Sequence, residues 1–325
     1  MSQEAGPPTE AGRTVRRAVV TGGAGFLGSH LCRSLVGEGA EVVCVDNLST
    51  GRLRNVADLR ENPRFTFVEA DVVEPLDVPG PVDLVLHLAC PASPLDYFTM
   101  PVATLRAGGQ GTYHVLCLAR EKGARFVLTS TSEVYGNPLE HPQREDYWGN
   151  VNPVGPRAVY DESKRFSEAM AVAFREQYGV DTGIVRLFNA YGPAMRDDDG
   201  RVVPTFIKQA LAGEPFSVMG DGNQTRSLCY VEDTVRGILA LARSREGTPV
   251  NIGNPQEITM RELAGHILEL TGGTSTFTYV DAHPDDPQRR RPDITKARTV
   301  LGWEPRVSLL DGLKRTIGAF AAERA

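Results

Sequence analysis

RAVVTGGAGFLGSH, residues 17–30, runs a β-branched stretch into a glycine-rich turn and then into a helical pattern. Gly23, Gly25 and Gly28 satisfy G-x-G-x-x-G, and Gly22, Gly25 and Gly28 repeat at three-residue spacing. Glycines are needed where a chain turns tightly, brings bare backbone up to a pyrophosphate and lays its helix close to its strand. The free N–H groups of the helix start then face the anion. The next apolar run, EVVCV (41–45), leads into Asp46, where a carboxylate accepts hydrogen bonds from an adenosine ribose and repels a 2′-phosphate. Residues 17–46 thus predict a dinucleotide-binding unit that takes NAD rather than NADP. Asp71, after the third apolar run, is placed either to contact adenine or to cap a helix.

Outward from this stretch the pattern repeats. FTFVE (65–69), DLVLHL (83–88), RFVLTS (125–130) and GIVRLF (183–188) alternate with helical patterns over residues 26–36, 101–122 and 160–178. Continuous apolar strands separated by helices predict an α/β, doubly wound (Rossmann) parallel sheet covered on both faces. Beyond residue 188 glycine and proline punctuation increases, which predicts a smaller, irregular C-terminal substrate-binding region over the carboxyl edge of the sheet. The expected division is a disordered tail at 1–13, an NAD-binding domain at 14–188 with 230–254 returning to it, and a substrate domain from 189–229 and 255–325.

The 325 residues carry 35 basic and 41 acidic side chains, a net charge of −6. That leaves no basic footprint for nucleic acid or an anionic membrane. The first residues contain no apolar run, no long uncharged apolar stretch occurs, and the five cysteines, Cys32, Cys44, Cys90, Cys117 and Cys229, form no CxxC pair. A cytoplasmic protein without disulfides is the expectation. The six histidines form no HExxH pattern, so no metal is expected.

Tyr160 and Lys164 stand four residues apart, on one face of a helix. The preceding strand ends in STSEVYG (130–136), which brings hydroxyls and a carboxylate to the same sheet edge. An ammonium beside a phenol lowers its pKa, making a base for a sugar hydroxyl whose carbon gives up hydride.

With HLACPASP (87–94), STSEVYG, PQREDYWGNVNPVGPRAVYDESKR (142–165), GDGNQTRSLCYVED (220–233) and DDPQRRRPDI (285–294), the chain resembles the extended short-chain dehydrogenase/reductases, the sugar-nucleotide epimerase/dehydratase family, over residues 14–323. Within it the resemblance is to the branch that decarboxylates UDP-glucuronate to UDP-xylose through a 4-keto intermediate. The resemblance implies that Tyr160 is the base, Lys164 its tuning partner, Thr131 a hydrogen-bond partner of the C4 oxygen, and that Ser132, Glu133 and Arg290 serve the catalytic centre, Glu133 and Arg290 around the substrate carboxylate. It further implies NAD contacts from Phe26, Leu27, Asn47, Asp71, Val72, Leu88 and Ala89, and UDP-sugar contacts from Pro91, Asn189, Arg226 and Tyr230. Arg289 and Arg291 are expected to be solvated.

Chemistry separates the branches. A dehydratase carries an acid at the position of Ser132, a poor proton donor. A 4-epimerase has a small residue where Glu133 stands. A non-catalytic NAD-binding sensor would not need Thr131, Tyr160 and Lys164 together. Gly108, Gly109, Ala194 and Met219 depart from the family pattern, and a loosened cofactor site would release some UDP-4-keto-pentose. Leu105, Val115, Leu116, Met170, Val172 and Phe174 predict a homodimer built on the helices at 101–122 and 160–178.

Overall fold

In chain order the first elements are β1 (Arg17–Thr21), α1 (Phe26–Gly37), β2 (Glu41–Asp46), β3 (Phe65–Glu69), β4 (Leu84–His87), α2 (Pro94–Thr99), α3 (Pro101–Arg106), α4 (Thr112–Lys122), β5 (Arg125–Thr131), α5 (Ala158–Tyr178) and β6 (Thr182–Leu187). There follow β7 (Ala190–Tyr191), α6 (Val202–Ala212), β8 (Phe216–Met219), β9 (Thr225–Ser227), β10 (Cys229–Tyr230), α7 (Val231–Arg243), β11 (Pro249–Ile252), β12 (Glu257–Thr259), α8 (Met260–Thr271), β13 (Phe277–Val280), α9 (Thr295–Leu301) and α10 (Leu309–Arg324). This computed structural model describes residues 13–281 and 289–324. The expected tail, apart from Arg13, and residues 285–288 of the arginine-bearing segment lie outside the described residues.

Seven parallel strands form one sheet in the order β11-β6-β5-β4-β1-β2-β3. The chain direction of travel reverses between β1 and β4, and a crevice opens beyond the carboxyl ends of those two strands. Their residues are apolar on both faces because helices cover both. Leu31 and Leu35 of α1 pack with Ile238 and Leu241 of α7 on one side. Val115 and Leu116 of α4 and Phe174 of α5 pack on the other. The C-terminal region is more helical than its punctuation suggests: Phe206, Phe216, Leu263 and Ile267 extend the first core beneath α6 and α8. Its strands are two to four residues long and pair only two by two, apart from β11.

Two expectations need correction. The helix at 101–122 is not continuous: a π-helical turn, Ala107–Gly111, joins α3 to α4. A Cβ at Gly108 would stand 2.6 Å from the Ser163 Cβ, so this glycine lets the turn press against α5, where Ser167 Oγ donates to the Gly108 carbonyl at 2.7 Å. Of the six apolar residues expected at a dimer surface, Val115, Leu116 and Phe174 are buried in the sheet-facing core. Val102, Leu105, Tyr113, Phe166 and Tyr178 are the large apolar side chains that α3, α4 and α5 leave exposed.

Candidate active site

The crevice is lined from the β1–α1 turn by Gly22, Gly25, Phe26, Leu27 and Gly28. The turn is tight enough to exclude side chains: a Cβ at Gly28 would meet the Gly22 carbonyl oxygen at 2.1 Å, and Gly22 itself sits at φ +70°. At Gly25 the space is open apart from that same oxygen at 3.1 Å, so a side chain there would project into the crevice. Asp46 ends β2 as a buried residue, 7% exposed, its Oδ2 accepting the Ala24 N–H at 3.0 Å and its Oδ1 the Leu48 N–H at 2.8 Å. Burial raises its pKa against those hydrogen bonds. Each oxygen keeps a second lone pair for a ligand hydroxyl. Asp71 lines the crevice and caps a turn rather than a helix, its Oδ1 accepting the Val73 N–H at 3.0 Å while Oδ2 accepts from Asn47 Nδ2 at 3.0 Å. Asn47, Val72, Leu88, Ala89 and Pro91 line the same wall. A bare-backbone cradle next to a carboxylate fits a dinucleotide's pyrophosphate and ribose.

At the other end of the crevice β5 delivers Thr131, Ser132 and Glu133, and the first turns of α5 deliver Tyr160 and Lys164. Thr131 caps the short 3₁₀ turn that follows, its Oγ1 accepting the Glu133 N–H at 3.2 Å, and hydrogen-bonds the Tyr160 phenol. The effect expected of Lys164 on Tyr160 is not what the structure gives. Burial first, then the neighbouring Cys90 and Glu133, hold the phenol well above its ordinary pKa, although Thr131 and Arg201 pull it down. Lys164 Nζ donates instead to the Thr129 carbonyl at 2.9 Å and stands 5.9 Å from the centre of the Tyr160 ring.

Glu133 is gripped from two sides. Arg290 makes a two-pronged pair with it, Nη1 to Oε1 and Nη2 to Oε2 at 3.0 Å, and Arg157 Nη2 donates to Oε2 at 2.6 Å. Burial would push this carboxyl up, but Arg290 and then Arg157 prevail and hold it at about 2. Arg290 and Arg157 stand behind Glu133 and are not themselves among the lining residues; Arg290 reaches Glu133 because its segment is stitched to Gln143. Gln143, fully buried, accepts the Arg291 N–H on its Oε1 at 2.8 Å, exchanges a backbone bond with Arg291 at 2.9 Å and accepts the Asp293 N–H at 2.8 Å. Asn251 of β11 ties both strands of this stitch to the sheet. Arg289 is exposed and Arg291 half-buried.

Asn189 lines the crevice with a buried Nδ2 that has no protein partner. Arg226 and Tyr230, expected beside the nucleotide, are not among the lining residues. Arg226 lies on β9 with Nη1 donating to the Thr225 carbonyl at 2.9 Å. The Tyr230 ring is packed edge-on to Tyr191, centroids 5.6 Å apart, beneath the Arg315 guanidinium. Residues without a motif complete the site. Tyr97 of α2 stacks on Tyr160 at 5.3 Å with rings 5° from parallel, and Arg196 and Arg201 line the far wall, paired to Asp96 and Asp199. The aromatic pair at Tyr97 and the arginines flanking DDDG (197–200) are the signals of them in the sequence. Among the described residues no three His, Cys, Asp or Glu side chains converge on a metal position, and no helix is long and apolar enough to cross a membrane.

A dinucleotide cradle joined to a Tyr-Lys-Thr cluster at the switch point of a parallel sheet defines a nucleotide-sugar oxidoreductase site. The chain belongs to the NAD dependent epimerase/dehydratase family, whose profile matches residues 18–253. It is 50% identical to "UDP-glucuronic acid decarboxylase 1" of Arabidopsis thaliana over 96% of this chain and 72% of that one. Among solved structures it resembles a dTDP-glucose 4,6-dehydratase of Streptomyces venezuelae with NAD bound, at 32% identity and a TM-score of 0.86 over 95% of this chain and 98% of the other. It also resembles a UDP-glucuronic acid 4-epimerase of Bacillus cereus in complex with UDP-glucuronic acid and NAD, at 27% identity and a TM-score of 0.84 over 94% and 99%.

Proposed function

We infer that the protein is an NAD-dependent enzyme that decarboxylates UDP-glucuronate to UDP-xylose. The observation that carries this reading is the Glu133 carboxylate clamped by Arg290 and Arg157 within the same site as Tyr160, with a serine rather than an acid at position 132. Half-identity to decarboxylases along nearly the whole chain supports it.

When bound, NAD+ supplies a reversible hydride acceptor and a positive charge that favours the phenolate. Thr131 orients the sugar's 4-hydroxyl and Tyr160 takes its proton as the carbon is oxidised. The 4-ketone then makes the sugar carboxylate a β-keto acid, and carbon dioxide departs leaving its electron pair in an enolate. Arg290 and Arg157 orient the carboxylate before that step, and buried Glu133 disfavours a second carboxylate next to it. Protonation at C5 and hydride return complete UDP-xylose. Ser132 cannot protonate a leaving hydroxyl, which disfavours dehydration, and the Glu133 clamp occupies the room a keto-sugar needs to turn over for epimerisation.

The test is mass spectrometry of the purified protein with UDP-glucuronate, which distinguishes UDP-xylose, released UDP-4-keto-pentose and UDP-galacturonate; the last as main product overturns the reading. Exposed Val102, Leu105, Tyr113 and Phe166 support a homodimer through α3, α4 and α5. The net charge of −6 and five free cysteines support a cytoplasmic setting.

A further inference from the structure

Two loops from different halves of the chain wall the crevice. After β2, Ser49, Thr50 and Asn55 line it on the cofactor side; after β7, Ala194, Arg196, Asp199 and Arg201 line it on the other. Residues 193–201 run between the halves as a strap tethered at several points. His30 of α1 donates from Nε2 to the Pro193 carbonyl at 2.9 Å, Ser93 Oγ donates to the Asp199 carbonyl at 2.7 Å, and Arg196 Nη2 reaches both Asp96 oxygens at 2.7 and 2.9 Å. Ala194 sits at φ +69°, a conformation an alanine keeps only where its surroundings impose it. One further tether crosses to the dinucleotide cradle. Arg52 Nη2 donates to Asp198 Oδ1 at 3.1 Å, Arg52 Nη1 stands 3.9 Å from Asp197, and Asp198 is shared with Arg196 Nε at 3.3 Å. Arg52 itself is fixed to the cofactor side: its N–H donates to the Ala24 carbonyl of the glycine turn at 3.0 Å. A Cβ on the preceding Gly51 would stand 2.7 Å from the Asp46 carboxylate oxygens, which puts this tether at the ribose end of the crevice.

We propose that Arg52 and Asp198 are positioning residues whose ion pair latches the 193–201 strap across the bound dinucleotide and sets how slowly the cofactor leaves. The two stand 146 residues apart in sequence and at the rim of the crevice, not among its lining residues, so they act by joining its walls. Under the functional reading above, on which this purpose rests, hydride taken at one step is returned at a later one, and the same dinucleotide has to stay through both. The side chains are 29% and 61% exposed, so salt reaches the pair and it can open without disturbing the fold. A plain charge effect would have the opposite sign. The dinucleotide carries an anionic pyrophosphate, so an aspartate acting by its charge alone would hasten release, and neutralising it would slow release. As half of a latch, Asp198 slows release, and neutralising it hastens release.

The experiment is stopped-flow release of NADH from the full-length protein, loaded with NADH and mixed with excess NAD+, with the loss of bound-nucleotide fluorescence giving the rate. Arg52→Gln and Asp198→Asn should each speed release about two- to fivefold, the effect of one partly exposed ion pair. The double variant should be no faster than either single, because both remove the same contact. Raising NaCl from about 0.05 to about 0.5 M should speed release from the unmodified protein more than from the double variant. Slower or unchanged release from Asp198→Asn overturns the proposal. So does a double variant whose effect is the product of the two singles, since Arg52 would then hold the dinucleotide by itself, and so does an equal salt response in the unmodified and double-variant proteins. Because release is read without sugar substrate, failure here is separate from failure of the decarboxylase reading, which would appear as no carbon dioxide released by the unmodified protein.

Discussion

Replacing Glu133 with Gln tests the clamp and the chemistry together. The carboxyl lies at about 2 instead of its ordinary 4.5 because two guanidinium groups outweigh its burial, and its side chain is only 15% exposed. At about 1.4 kcal/mol per pH unit of displacement, the ionised carboxylate contributes about 3 kcal/mol to folding at neutral pH. Because the folded value is depressed, this contribution is complete above 4.5 and disappears as the pH falls through about 2. Near pH 3.5 about 2 kcal/mol should remain. Urea unfolding of both proteins at the two pH values should show Glu133→Gln less stable by these amounts, with the gap narrowing in acid. The same variant keeps both arginines and removes the negative charge beside them, so substrate should still bind and C4 oxidation should accumulate as absorbance of reduced nicotinamide while carbon dioxide release falls on the order of 10²-fold. A stability gap that does not narrow in acid would refute the electrostatic account of the clamp; decarboxylation at the unmodified rate would refute its catalytic role.

Tyr160→Phe removes the proton acceptor, so no reduced nicotinamide should appear with UDP-glucuronate, and carbon dioxide release should fall by about 10²- to 10⁴-fold in a stopped assay. Asp46→Ala takes away the carboxylate that repels a 2′-phosphate, and the ratio of NAD+ to NADP+ affinity measured by titration should shrink; equal affinities in the unmodified protein would contradict the role given to Asp46. Gly108→Ala forces a Cβ to within 2.6 Å of Ser163 and should cost about 1–3 kcal/mol in thermal or urea unfolding, with an unchanged midpoint counting against the close contact. Light scattering should report a dimer at micromolar concentration that weakens when Val102 and Phe166 are replaced by charged residues, whereas a monomer throughout would remove the α3–α5 surface as an interface.

What the sequence makes legible here is what depends on short spacing. β1 and β3 begin and end where the apolar runs do, and Tyr160 with Lys164 stands on the α5 face that the four-residue spacing requires. Glu133 and Arg290, 157 positions apart, could be joined only through family resemblance. At Tyr230 resemblance transfers a residue but not the surroundings of its side chain. In this chain Gly312 closes over the ring, a Cβ there lying 2.9 Å from it, and Tyr191 stands against its edge.

The Lys164 expectation failed for a different physical reason. Four-residue spacing guarantees a shared face, but a flexible ammonium goes to whichever acceptor is nearest, and the Thr129 carbonyl at the end of β5 is one. Tyr160, meanwhile, is enclosed by Tyr97, whose stacked ring removes water from one side of the phenol. Its proton is therefore held by exclusion of solvent, and a transient positive charge in the crevice has to release it. A phenol held protonated in this way is a better base once a positive charge sits beside it, which under the proposed function ties proton transfer to cofactor occupancy. The arrangement favours oxidation and proton transfer as one event, which Glu133, raising the phenol further from its other side, reinforces.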